Sequence, residues 1–269
     1  MKPRFSASVP LCVVIGMAAA LIRLEAQGPP GGRGAQPPRS ARAAAPVDLT
    51  GQWVSVISED WRWRMVTPLK GDFANIPVNE QAKKIGREWN PAKDQAAGEA
   101  CRSYGAPAIM RVPGRVRISW QDEDTLKIET DAGMQTRLLR FRPEPAASGD
   151  REWQGYSTAR WEPPASGVVP PPAFALGLSP RAGARGRSLE VTTTRLRPGY
   201  LRKNGIPYSA EATVNEFFDS FKEPDGAEWF VVTTIVRDPQ YLNGPWVTSS
   251  NFKKETDTTK WSPSPCTAR

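Results

Sequence analysis

Short runs in which apolar and polar residues alternate recur along this chain at regular spacing. Asp48-Leu49-Thr50 reads as a turn opening into Gly51-Gln52-Trp53-Val54-Ser55-Val56, a strand rich in β-formers. The alternation resumes in Trp61-Arg62-Trp63-Arg64-Met65-Val66, which predicts a continuing strand with both tryptophans on one face, closed by Pro68 and Gly71. Further alternating runs cover 115–120, 125–130, 134–141, 153–161, 188–196, 212–221, 228–236 and 246–254, most of them joined by short turns. Nine or ten such strands predict an all-β, mainly antiparallel fold. A β-barrel is the first expectation. A β-sandwich of the same strands is the alternative, because period two does not separate them.

Three stretches break this pattern. Residues 79–105 carry the helical spacing: Asn79 is placed to cap, Ala82, Ile85 and Trp89 follow at helical intervals, and Pro91 can start a second helix. Ala97, Cys101 and Tyr104 share a face there, and Gly105 is read as a C-cap. Residues 163–187 hold six Pro and four Gly and read as a flexible loop. Residues 27–46 are Pro-, Gly- and Arg-rich with no periodicity, a disordered leader. A single barrel domain is therefore expected over 47–269.

The start of the chain predicts export. Lys2 and Arg4 precede an apolar run from Val9 to Ile22, and Leu24-Glu25-Ala26 offers a cleavage site, giving a signal peptide over 1–26. The run is shorter than the ~20 residues needed to span a bilayer, so no transmembrane segment is expected after cleavage. A retained anchor is the alternative. The protein would then be periplasmic or extracellular. Of the three cysteines, Cys12 lies in the apolar run, and Cys101 and Cys266 remain. In an oxidising compartment they read as one disulfide, with two free thiols as the alternative.

Composition narrows the chemistry sharply. The 269 residues include no histidine. That excludes Ser-His-Asp and Cys-His nucleophiles, His-ligated metals and imidazole acid/base catalysis. No phosphate loop, dinucleotide fingerprint or calcium loop occurs, so neither metal nor cofactor is expected. The formal charge of +8 raises nucleic acid as a partner, but export and the spread of that charge argue against it.

Gly51-Gln52-Trp53 resembles the Gly-X-Trp entry of lipocalins and other calycin barrels. A wider resemblance spans about 47–254. It rests on Cys101, Tyr104-Gly105-Ala106-Pro107, Met110, Pro113, Trp153-Gln154-Gly155-Tyr156-Ser157, Arg160-Trp161-Glu162, Tyr208-Ser209, Glu216-Phe217, Asp238-Pro239, Tyr241 and Pro245-Trp246. These landmarks are similar to those of uncharacterised secreted bacterial proteins with a lipocalin-like barrel. In that group the 155–157 site more often reads Gly-His-Ser, so Tyr156 is a departure. The resemblance implies an exported barrel with a ligand cup, and no established activity.

Arginines stand in or beside many of the strands. If they face a barrel interior, Arg111, Arg117, Arg160 and Arg195, with Trp53, Trp120, Trp161 and Tyr208, would line a cup for a small hydrophobic or amphipathic molecule with an anionic end. If they face outward they solubilise the strands. The connection 197–208, with three cations and two tyrosines, could form a lid or recognition loop. An alternative function is a cofactor-free isomerase, cyclase or hydratase using Glu216 or Asp60 with Tyr208. A third is an accessory interaction protein without ligand. Oligomeric state is not legible.

Overall fold

The computed structural model describes residues 39–143, 149–162 and 188–269. The expected signal peptide, the leader up to residue 38 and the loop 163–187 lie outside them. The strands are β1 (Gly51–Val56), β2 (Arg115–Trp120), β3 (Thr125–Thr130), β4 (Thr136–Arg140), β5 (Tyr156–Trp161), β6 (Ser188–Thr194), β7 (Gly199–Tyr200), β8 (Pro207–Tyr208), β9 (Thr213–Lys222), β10 (Glu228–Arg237) and β11 (Trp246–Glu255). Nine of them close a barrel in the order β1-β11-β10-β9-β6-β5-β4-β3-β2, while β7 and β8 form a separate ribbon. The fold is all-β, and a barrel rather than a sandwich.

β1 is the seam. It pairs antiparallel with β11 (Gln52 opposite Glu255) and with β2 (Gln52 opposite Arg117). All barrel junctions are antiparallel except β4–β5, which runs parallel over Leu139–Ser157 and Arg140–Thr158. Period two holds: Leu126 and Ile128 in β3, Val214, Glu216 and Phe218 in β9, and Phe230, Val232, Thr234 and Val236 in β10 are buried, with less buried residues between them.

The helical insertion forms where the spacing put it. It comprises α2 (Glu80–Glu88), α3 (Pro91–Ala96), a 3-10 turn at Ala100–Ser103 and α4 (Ala106–Ile109). Asn79 Oδ1 accepts from the Ala82 N–H, and Pro91 opens α3 at the position where its missing N–H is harmless. Gly105 is the N-cap of α4, not a C-cap. Its missing side chain matters instead for packing, because a Cβ there would collide with the Tyr208 hydroxyl.

Two further expectations fail. The segment expected to continue β1 is a short helix, α1 (Trp61–Arg64). Asp60 turns the chain at φ 51, and helical hydrogen bonds then run from Met65 N–H to Trp61 O. Alternation of Trp and Arg therefore reports no sheet pleat: Trp61 and Arg62 face out, and Arg64 faces in. The last residues of the expected leader are also ordered. Ala41 is buried, its O accepts from Trp161 Nε1 (2.9 Å), and Arg42 N–H donates to Glu123 O (3.0 Å), so 39–46 lies across the end of the barrel where β2 stops and β3 begins.

The opposite end, where β1 and β10 finish and β2 and β11 begin, is covered by α1–α4 and the β7–β8 ribbon. Cys101 and Cys266 are bonded, with Cα atoms 5.1 Å apart. Ser264 extends this anchorage, its N–H donating to Asp131 O while its O accepts from Gly133 N–H. Among the described residues no helix is long and apolar enough to cross a membrane.

Candidate functional site

The lower half of the barrel interior is filled by side chains. Trp53 packs edge-on against Phe230 (4.8 Å between ring centres) and donates its indole N–H to Leu49 O. Phe230 stacks on Phe252, with Phe218, Leu126, Ile128, Leu139 and Leu189 completing the cluster. The expected cup between the strands is thus occupied by the protein itself. Trp120 and Trp161 lie half-buried with Phe141 at the end closed by 39–46.

Above that cluster lies a polar layer. Arg137 and Glu216, both essentially unexposed, form an ion pair (2.6 and 3.2 Å). Arg137 also donates to Thr193, whose hydroxyl meets Ser157. Both carboxylate oxygens of Glu216, one of the two proton-transfer candidates of the alternative enzyme reading, accept from this guanidinium. Tyr208 is buried with its hydroxyl wedged against Gly105 and Gly199, and burial pushes the phenol well above its ordinary range. Arg117 and Arg160 point outward. The first donates to Gln52 and stacks over Trp261, and the second pairs with Glu190. Arg195, at φ 56, donates to Gly149 O. Of the residues singled out from the sequence, Arg111 lines a pocket in the helical cap and pairs there with Asp60.

That site is a pocket of about 140 Å³ in the helical cap. Its charged lining comes from Arg64, Arg111, Arg202 and Lys203, and Trp63, Met65, Val66, Pro68 and Leu201 supply apolar wall. Local sequence explains each position. The left-handed turn at Asp60 starts α1 so that Arg64 points inward. Pro107 initiates α4, at whose end Arg111 emerges. The β7–β8 ribbon crosses at Leu201, whose N–H donates to Ile206 O, and the tight connection holds Arg202 inside.

The three guanidiniums are only 5–7% exposed. Arg64 donates Nε to Arg111 O (3.0 Å) and Nη1 to Glu59. Arg111 donates Nη2 to Asp60 (2.9 Å) and stacks over Trp246. Arg202 donates Nη1 to Ala74 O (2.7 Å) and lies over Trp63 and Trp246, but among the described residues no carboxylate pairs with it. Among the described residues four of their donors have no partner: Arg64 Nη2, Arg111 Nη1, and Nε and Nη2 of Arg202. Burial, reinforced by the charge of Arg111, pulls Arg202 down to about 10. Burial and the same neighbouring charge pull Arg64 down to about 10 against the opposing pull of Glu59 and Asp60. Both remain cations at neutral pH.

Such an arrangement is costly unless an anion completes it, since an unpaired buried N–H on a charged group is among the dearest of polar defects. Nε and Nη2 of Arg202 form the side-on fork that accepts two oxygens of a carboxylate or phosphate. Tryptophan faces next to that fork suit an unsaturated or ring-bearing body. The volume decides the size: a cavity near 150 Å³ is of the order that admits one benzene ring, which rules out a long acyl chain inside. Among the described residues no three His, Cys, Asp or Glu cluster so as to hold a metal ion.

Sequence reasoning missed Arg64 and Arg202. Arg64 was hidden by its period-two neighbours. Arg202 lay in the connection expected to act as a lid, and Pro207, Gly199 and Gly205 around it were the available signal of a tight, ordered ribbon. Comparison of the chain with protein-family models, with curated proteins and with solved structures gives no match, and the site is read from its own geometry.

Proposed function

We propose that this is a barrel protein that binds a small amphipathic organic anion, a carboxylate or phosphate carrying a ring-sized apolar body, in the cap pocket rather than between the strands. One observation carries the reading: three buried arginines that line one pocket beside Trp63 hold four N–H donors without a partner among the described residues. The Cys101–Cys266 bond and the charged, apolar start of the chain support action outside the cytoplasm, after cleavage near Ala26. Intact mass of protein recovered from the periplasm or medium checks that step.

Tryptophan fluorescence tests the binding, since Trp63 and Trp246 flank the arginines. Titration with benzoate and with inorganic phosphate should give a saturable change in the wild type and a tenfold or greater loss of affinity in Arg202→Met. A flat response of the wild type to both anions overturns the reading.

A further inference from the structure

Four of the seven exposed large hydrophobic side chains among the described residues fall within nine positions: Trp61 (64% exposed), Met65 (60%), Val66 (60%) and Leu69 (73%). Trp61 and Met65 are four residues apart along α1 and so lie on one face of that turn. The segment reads Trp-Arg-Trp-Arg-Met-Val-Thr-Pro-Leu-Lys, and its outward cations are Arg62 and Lys70. Carboxylates nearby are turned to arginines: Glu59 to Arg64, Asp60 to Arg111, and Asp72 to Arg62 at 3.7 Å and Trp63 Nε1 at 3.1 Å. Lys203 adds a cation on the pocket wall. The pocket opens into this same surface, with Met65, Val66 and Pro68 forming part of its lip.

Large apolar side chains standing free in water, interleaved with long cationic ones, are what an interface between water and anionic lipid accommodates. Trp settles at headgroup depth, aliphatic side chains reach below it, and Lys and Arg remain among the phosphates. Resting on the anion-binding reading of the pocket, we infer that the 61–70 segment docks the barrel, cap first, onto an anionic lipid surface. Charge complementarity selects anionic lipid, because the outward groups of the segment are cations beside apolar side chains.

Sedimentation with vesicles tests this on the full-length protein. Binding to phosphatidylcholine vesicles containing about one third phosphatidylglycerol should be at least tenfold tighter than to phosphatidylcholine alone, and should weaken at high salt as exposed charges are screened. Trp61→Ser with Leu69→Ser removes two exposed side chains that no packing needs, and should weaken vesicle binding at least tenfold. Any contribution from the apolar run near the N-terminus is common to both proteins and cancels in that ratio. Phosphate titration of the same double variant should be unchanged.

Equal partition of wild type and double variant overturns the docking, as does binding indifferent to lipid charge. So does concentration-dependent self-association that the double variant abolishes, which would make the segment a dimer face. A wild type that binds phosphate but no vesicle leaves the pocket reading standing and removes only the docking. One that binds vesicles through 61–70 but neither small anion does the reverse.

Discussion

Arg202 and Arg137 are buried to a similar degree, yet they face opposite circumstances. Arg137 has Glu216 at 2.6 Å, whereas among the described residues Arg202 contacts a backbone carbonyl and two indole faces and no carboxylate. Removing one member of a buried pair strands the other, so Glu216→Gln should destabilise the fold by about 3–5 kcal/mol. At 2–4 °C per kcal/mol that is a fall in Tm of roughly 10 °C by calorimetry. The double change Arg137→Met with Glu216→Leu should recover most of it, because well-packed apolar replacements of a buried pair are often neutral. Arg202→Met runs the other way. It deletes a buried cation that no carboxylate among the described residues contacts, so Tm should hold or rise even as anion affinity falls tenfold or more, the pattern expected of a residue kept for binding.

At the level of elements, the barrel is fastened where its first strand meets its last. Glu255 accepts from Arg115 Nε (2.7 Å) and Gln52 Nε2 (2.8 Å), joining β11, β2 and β1. Hydrogen bonding by Arg115, opposed by some burial, holds its carboxyl below the ordinary 4.5. A carboxyl lowered in the folded state contributes above its unfolded value, and that contribution disappears as pH falls through the folded value. The urea midpoint of the wild type should therefore drop from about pH 4.5 downward more steeply than that of Glu255→Gln. Other carboxylates, Asp257 among them, are shared by both proteins and cancel in the comparison. The Cys101–Cys266 bond closes a loop of 165 residues, for which chain entropy gives about 5 kcal/mol. Cys101→Ser with Cys266→Ser should lower Tm by about 10 °C and bring fast amide exchange to 262–269. Period two located every barrel strand to within a few residues, because a barrel wall buries one face. The same rule misread 61–66, where a positive-φ aspartate, invisible to periodicity, turns the chain. It also implied an open cup between the strands where Trp53, Phe218, Phe230 and Phe252 pack together, since strand pattern says which residues face inward and nothing about whether they fill the space. Arg111 and Asp60 were legible as charged residues beside strands; Arg64 and Arg202 depend on tertiary enclosure.

For the molecule as a whole, the barrel has two apolar clusters with Arg137, Glu216, Thr193 and Ser157 between them, one centred on Trp53 and Phe230, the other on Tyr208 and Trp246. The first is covered by 39–46 and the second by the helical cap that carries the pocket. A ligand held by the cap would tie α1, α4 and the β7–β8 ribbon together, so saturating anion should raise Tm in a manner set by its concentration. The seam at β1 has one more consequence, for the time before the fold exists. Gln52 finds Glu255 203 positions later. A ribosome adding about 5–20 residues per second needs roughly 10–40 s to supply that distance. Throughout that interval one side of β1 offers bare N–H and C=O groups to any passing strand, which makes closure of the barrel a race against aggregation and makes the nascent chain a natural client for a holding chaperone.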